Sequence, residues 1–484
     1  MKTGTTKDMK KIIYILLLSL SSISLIGQDM TMYNLHYAPQ SLQVNPGFMP
    51  ESNWYVALPV LNLPAISVSN TFGMADLFET SGDYTYIDFT TTSSALNGGN
   101  GALEVGMQVD VLNFGFKFAE KHFIHLQAQT FANIKFGYNN GLINLLRYVF
   151  ADSSNIGTRV TITNFGPEIS AYSKVGIGYT YQLNEKMSIG VRPNYYMGHA
   201  YLSTLNTNIG FYTSPDLDQL LVQADIEIQA GAVGTILNNY LSLDQNTDNG
   251  QGSETYNPMD DLNLFANNGF GVDFGVNAAI DKTLHLSASV VDLGYIRWKE
   301  NTMTHTMNAE IDFRGMDLSA LTGGGDTEEE STGSADTSSS SGIDSLLTSI
   351  TDQLVITGDN SAFTTFLSTK VYLAGNWHMN EYVHLGFLIR SELENGGLKQ
   401  AMTIAPSFKL GRAFNATISY TAANGTFNNI GLGLAWNAGP VQLYLVSDNL
   451  YGFTQYDYMR TTNFRFGINI RPKAPKEGKR RKRR

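Results

Sequence analysis

Seven ionisable residues stand out because each interrupts an apolar pattern at a fixed interval. Lys135, Arg192, Asp273, His285, Arg390, Lys409 and Arg465 fall one residue out of phase with runs of apolar residues. Successive side chains of a strand point to opposite faces, so these groups share the face turned away from the apolar set. Charge there is costly against hydrocarbon and is tolerated facing an enclosed interior. It can then line a selective passage, hold a solute, or fill the space with ion pairs, and the spacing alone leaves these alternatives open.

Catalysis is not what the spacing offers. The chain has no HExxH, no GxSxG, no phosphate-cradling glycine loop and no EF-hand loop. His122 and His125 form an HxxH, but on a strand they face opposite ways and do not share a metal. Cys is absent, which excludes a lipoprotein anchor, disulfides, thiol nucleophiles and thiolate metal sites. No catalytic, cofactor-binding or metal-binding residue is therefore expected, and the chain does not read as an enzyme. A serine triad gathered from distant strands is the weaker alternative.

The elements that position these residues are strands of about ten residues with strict alternation, the length a tilted strand needs to cross a bilayer's hydrocarbon. From Phe270 to Ile280, Phe270, Val272, Phe274, Val276, Ala278 and Ile280 share one face, while Gly271, Asp273, Gly275 and Asn277 share the other. The chain turns at Asp281-Lys282 and resumes with Leu284, Leu286, Ala288 and Val290. Other short turns fall at Ala119 to Lys121, Asn184 to Lys186, Asn380-Glu381, Gly411 to Ala413 and Ala438 to Pro440. Much longer connections lie between them, near 139–169, 197–268, 293–369, 391–399, 421–428 and 449–461. Short and long connections alternate as in outer-membrane barrels. With a first strand in 54–72 and a last from Asn463 to Arg471, the pattern predicts an all-β transmembrane antiparallel barrel of about fourteen strands spanning 54–471. An even count leaves both termini in the periplasm. Residues 103–118 change phase between Val111 and Leu112, as a bulge or an extension beyond the membrane would require. Tyr179, Tyr181, Trp298, Trp377 and Trp436 fall near strand ends and are expected in interfacial girdles.

Composition agrees. Charged residues make up 15% of the chain, against about 25% in soluble proteins. Residues 1–27 carry Lys7, Lys10 and Lys11 before an apolar run and read as a secretory signal peptide. Residues 28–53 lack alternation and are expected either inside the lumen as a hatch or as a periplasmic extension. Helical spacing over 141–150, 215–243 and 342–355 predicts short helices in the extracellular loops, the longest of which lie near 197–268 and 293–369. The stretch 323–342 is too polar to build a core and is expected to be disordered. The tail 472–484 is basic: from Arg471 to Arg484 the chain holds nine basic residues and one acid, in a protein of net charge −11. Export makes nucleic acid an unsuitable partner for it; outer-membrane lipid, and envelope proteins docking on the external loops or on 473–484, are the partners the layout allows.

Several short pieces resemble a known group of proteins: Gln28-Asp29-Met30-Thr31-Met32-Tyr33-Asn34, Asn45-Pro46-Gly47-Phe48-Met49-Pro50, Ile177-Gly178-Tyr179-Thr180-Tyr181-Gln182-Leu183 and Val291-Asp292-Leu293-Gly294-Tyr295-Ile296-Arg297-Trp298. They resemble a Bacteroidota-type outer-membrane barrel family of unknown function, distantly similar to the PorP/SprF-like barrels of gliding and type IX secretion. The hatch and external cap also look like the fatty-acid-channel type of transporter. The resemblance implies a location in the outer membrane and carries no catalytic residue. Two functions follow as expectations: passive transport or binding of hydrophobic or small solutes, or a structural, partner-docking barrel of an envelope secretion or motility assembly.

Overall fold

The computed structural model describes residues 29–472 apart from 59–63, 82–83, 97–98, 151–155, 217–218, 235–262, 264, 314–353, 395–396, 412, 424–425 and 451–459. The expected signal peptide, the low-complexity stretch 323–342 and the basic tail 473–484 lie outside the described residues.

Fourteen antiparallel strands close into a ring. In chain order they are β1 (Trp54–Ala57 continued by Ala65–Asn70), β2 (Asn100–Ala119), β3 (His122–Asn139), β4 (Val160–Thr163 continued by Gly166–Asn184), β5 (Met187–Thr213), β6 (Asn267–Ala279) and β7 (Leu284–Trp298). They continue with β8 (Phe363–Phe366 continued by Thr369–His378), β9 (Val383–Glu394), β10 (Gly397–Leu410), β11 (Phe414–Ala423), β12 (Thr426–Ala438), β13 (Val441–Ser447) and β14 (Thr461–Ile470). Each pairs with its sequence neighbours, and β14 pairs back onto β1, with Val56 opposite Ile470 and Ile66 opposite Phe464. Closure leaves the barrel wall without an edge.

Alternation sorts the two faces. Leu103, Val105, Ile134, Ile177, Phe270, Phe274, Leu286, Phe387, Ile404 and Ile418 are exposed on the outer wall. Between them, His125, Gln127, Gln129, Arg192, Asn194, Asp273, Thr403 and Thr417 are buried inside. Among the described residues no helix is long and apolar enough to cross a membrane, a fact that leaves crossing by strands untouched.

The phase change in β2 is a bulge: Asp110 faces Gln129 and Leu112 faces Ala128, so Val111 is extra. It keeps apolar side chains outward on both sides of the break. A second bulge sits in β7 at Asp292, whose φ is 59°, where the register against β6 slips between Val272 and Phe274. It corrects the expectation for Trp298. Beyond the bulge the inward set changes parity, and Trp298 is 1% exposed against Tyr201 and Phe363 rather than at an interface. Trp377 and Trp436 do face outward.

The long-connection side differs from expectation in kind. Helices occur at Phe89–Ala95, started by Asp88 accepting from the amides of Thr90 and Thr91, and at Asn140–Phe150. The helix expected over 215–243 is instead a strand, Leu220–Gly231, over its described middle. Its sequence alternates Val222, Ala224, Ile226 and Ile228 with Gln223, Asp225, Glu227 and Gln229, a period of two that a helical reading of 3.6 overlooked. This strand pairs with the upper part of β5 and with Met303–Phe313, which pairs with Leu354–Asp359. Of the helix expected over 342–355, residues 342–353 lie outside the described residues and 354–355 begin that last strand. These strands form a fin growing from β5, whose 27 residues span about 90 Å at ~3.3 Å each, far more than a bilayer requires.

Candidate functional site

The segment before β1 enters the ring as a plug. A helix, α1 (Met30–Asn34), and a 3-10 turn (Pro39–Gln43) are fully buried along their length. Met30, Met32, Leu35 and Leu42 are no more than 1% exposed, each burial stabilising by roughly 1.5–3 kcal/mol. The plug touches strands all round. Thr31 N donates to Asp448 Oδ1 at 2.7 Å, and its hydroxyl lies 2.6 Å from Ser419 Oγ. Tyr33 OH lies 3.0 Å from Ser287 Oγ, and Gln40 Nε2 donates to Asn469 Oδ1 at 2.7 Å. Thr180 and Ser188 donate to the carbonyls of Pro46 and Gly47 at 2.7 and 2.6 Å. The close approach at Asn45-Pro46-Gly47 explains the glycines of the facing wall: a Cβ on Gly47 would lie 2.6 Å from the backbone carbon of Gly275, so neither backbone can carry a side chain there.

Three of the sequence-derived residues, Arg192, Asp273 and Arg465, hold this plug. Arg192 and Asp273 stand opposite each other on β5 and β6, both wholly buried, with Nη2 2.6 Å from Oδ2. Arg192 also donates to the carbonyls of Leu42 and Gln43 at 2.7 and 2.9 Å and to Gln127 Oε1 at 2.9 Å. A guanidinium without such partners would be prohibitive at that depth. Arg465 donates to Asp110 Oδ2 at 2.7 Å and to Gln43 Oε1 at 2.6 Å, and Asp110 accepts from Gln129 at 2.8 Å.

Lys135 and Arg390 stand elsewhere, around a chamber of about 240 Å³ above the plug. Lys135 Nζ lies 3.5 Å from Glu168 and 3.9 Å from Glu104 and Glu394. Arg390 pairs with Glu392 at 2.9 Å, and its Nε lies 3.3 Å from Tyr372 OH, which donates to Asp29 Oδ2 at 3.0 Å. Its Nη1 is buried without a hydrogen-bond partner. Phe131, Tyr172, Tyr201 and Trp298 also line this chamber. His285 and Lys409 lie at the opposite, short-turn end. His285 packs on His378 with ring centroids 4.2 Å apart, and Lys409 Nζ sits 5.8 Å from the centre of the Tyr37 ring. The seven residues thus divide among three places rather than one.

Sequence reasoning missed most of the charged partners. Asp292 accepts from Lys174 at 2.8 Å and Lys370 at 3.1 Å, and Lys399 joins Glu104 and Glu394. Lys399 alternates correctly with Leu398 and Gln400, but 391–399 reads as a loop; Asp110 and Asp292 sit at bulges that hide their phase. The HxxH pair does split across the wall: His122 is on the outer surface beside Tyr179 Oη at 2.7 Å, whereas His125 is buried.

Fourteen closed antiparallel strands around an N-terminal plug define the class: a plugged β-barrel with an apolar exterior. The chain belongs to a family of unknown function, DUF5723, whose pattern matches residues 46–448. No curated protein matches it significantly. Among solved structures it is similar to the CymD monoaromatic hydrocarbon channel, at 8% identity over 93% of this chain and 98% of that one, with a TM-score of 0.34. A Pseudomonas aeruginosa FadL homologue is similar at 8% identity over 94% and 100%, TM-score 0.36. The translocator domain of the autotransporter NalP from Neisseria meningitidis is similar at 9% over 92% and 95%, TM-score 0.30.

Proposed function

We propose that the protein is an outer-membrane barrel that holds a small solute in its lumen and passes it only when the N-terminal plug gives way. The apolar outer wall supports insertion in a bilayer, and the signal-like N-terminus together with barrel closure supports the outer membrane, with the short turns and both termini on the periplasmic side. The chamber above the plug is the observation that carries the solute reading. Aromatic and charged side chains line it together, and Arg390 Nη1 is buried beside it without a protein partner.

Such a mixed lining suits an amphipathic solute with a flat apolar body and a carboxylate head, since a guanidinium edge binds a carboxylate strongly when desolvated. A purely apolar cargo would leave the charged groups unused. The chamber's modest volume restricts the solute to a small one. Benzoate is a suitable probe. Binding to the purified full-length barrel, followed calorimetrically, is expected to weaken about tenfold in Arg390→Met, the equivalent of ~1.4 kcal/mol. Absence of binding by any small carboxylate, amine or neutral aromatic compound would contradict the reading and turn attention to a barrel whose role is docking partners.

A further inference from the structure

Four of the chain's eight histidines meet where the plug touches the short-turn mouth. His36 comes from the plug, His285 from the start of β7, His378 from the end of β8 and His384 from the start of β9, and all line one cavity of about 320 Å³. The ring of His378 lies 4.2 Å from that of His285 and 4.1 Å from that of His384, between centroids. His36 packs edge-on against Phe48 at 4.6 Å. Asn376 Nδ2 stands 3.2 Å from His36 Nε2, so that nitrogen accepts and the proton rests on Nδ1. The Nδ1 atoms of His36 and His384 are buried with no protein partner. Among the described residues, no three His, Asp or Glu side chains form a group that could hold a metal ion; imidazole is the side chain whose ordinary titration falls between pH 5 and 8.

The charges around the cluster come from every element packed on it. The plug contributes Tyr37 and Glu51, the turn before β7 contributes Asp281, β10 contributes Lys409, and Arg471 follows β14. Asn277 of β6 and Asn376 of β8 are neutral. Two carboxylates against two cations leave no surplus negative charge to stabilise several imidazolium ions at ring-contact distance.

We propose that this cluster is a proton-operated latch, which packs the plug against the wall when its rings are neutral and drives His36 off the wall when they are protonated. The latch rests on the reading of the plug as the barrel's closure. Burial, and then the neighbouring His378, His384 and His285, push His36 down from its ordinary 6.5 to about 4. A base whose docked value lies below its free value binds protons more readily undocked. Docking is therefore at full strength above pH 6.5 and weakens as the pH falls toward 4. For His36 alone the docking equilibrium drops about thirty-fold between pH 8 and pH 5.

Hydrogen exchange of residues 29–53 in the full-length barrel, corrected for the intrinsic pH dependence of exchange, reads this directly. Wild type is expected to protect the plug at pH 8 and to lose protection at pH 5, with strand β10 unchanged as the internal reference. His36→Gln should reduce the pH effect, and His285→Gln with His378→Gln and His384→Gln should reduce it while leaving the plug segment itself intact. Equal protection at both pH values overturns the latch, as does a pH effect undiminished in both variants. A plug exposed at both values would overturn the closure beneath it. Solute binding is measured separately, so a failed latch leaves the chamber's reading standing.

Discussion

The two halves of the lumen solve the same problem in different ways. At the short-turn half, charge is buried to exhaustion: Arg192 and Asp273 are both inaccessible, and the plug's carbonyls take up the guanidinium's remaining donors. In the chamber half, Lys135 and its three carboxylates retain between a fifth and a third of their exposure, at distances of 3.5 to 3.9 Å. Buried ion pairs packed against the plug build a fixed wall, whereas partly exposed charges at longer range are exchangeable for a ligand's. The proposed closure and the proposed recognition are thus separated along the barrel's axis.

Substitutions sharpen this contrast in descending order. Arg192→Leu leaves Asp273 buried and unpaired and should destabilise the barrel by about 3–5 kcal/mol, measured as a lowered unfolding midpoint; an effect under about 1 kcal/mol would mean the plug half is wet. Gly275→Ala drives a methyl into the Asn45-Pro46-Gly47 segment and should cost about 1–3 kcal/mol through overpacking, with faster proteolysis of residues 29–53. In the chamber, Lys135→Met should change stability by no more than about 1 kcal/mol, while altering solute binding. A Lys135→Met variant as damaging as Arg192→Leu would erase the distinction between the halves.

Much of this was legible in the chain. Alternation with Phe270, Val272 and Phe274 placed Asp273 inside, and short turns such as Asp281-Lys282 set the strand order, because an apolar-out barrel must repeat every two residues. What escaped has a physical source. Bulges at Val111 and Asp292 add one residue and reverse the phase, so Trp298 moved from a supposed interface to the chamber wall. The fin strand Leu220–Gly231 lies beyond the expected membrane span, where helical spacing across 215–243 masks its two-residue alternation. The plug has no periodicity, since its residues are held by side chains from across the ring, and only the tertiary structure brings Thr31 to Ser419 or Gln43 to Arg465.

The absence of cysteine makes the central claim, that residues 29–53 close the barrel from within, directly testable. Thr31 on the plug and Ser419 on β11 have hydroxyl oxygens 2.6 Å apart, within reach of a disulfide's short sulfur–sulfur bond of about 2.05 Å. Full-length protein carrying Thr31→Cys and Ser419→Cys, oxidised in native membranes, should form an internal cross-link seen as a reductant-sensitive mobility shift. The pair Thr31→Cys with Ser188→Cys, whose wall position instead holds Gly47, should not. Failure of the first pair to cross-link, or equal cross-linking of both, would contradict a plug seated in the lumen.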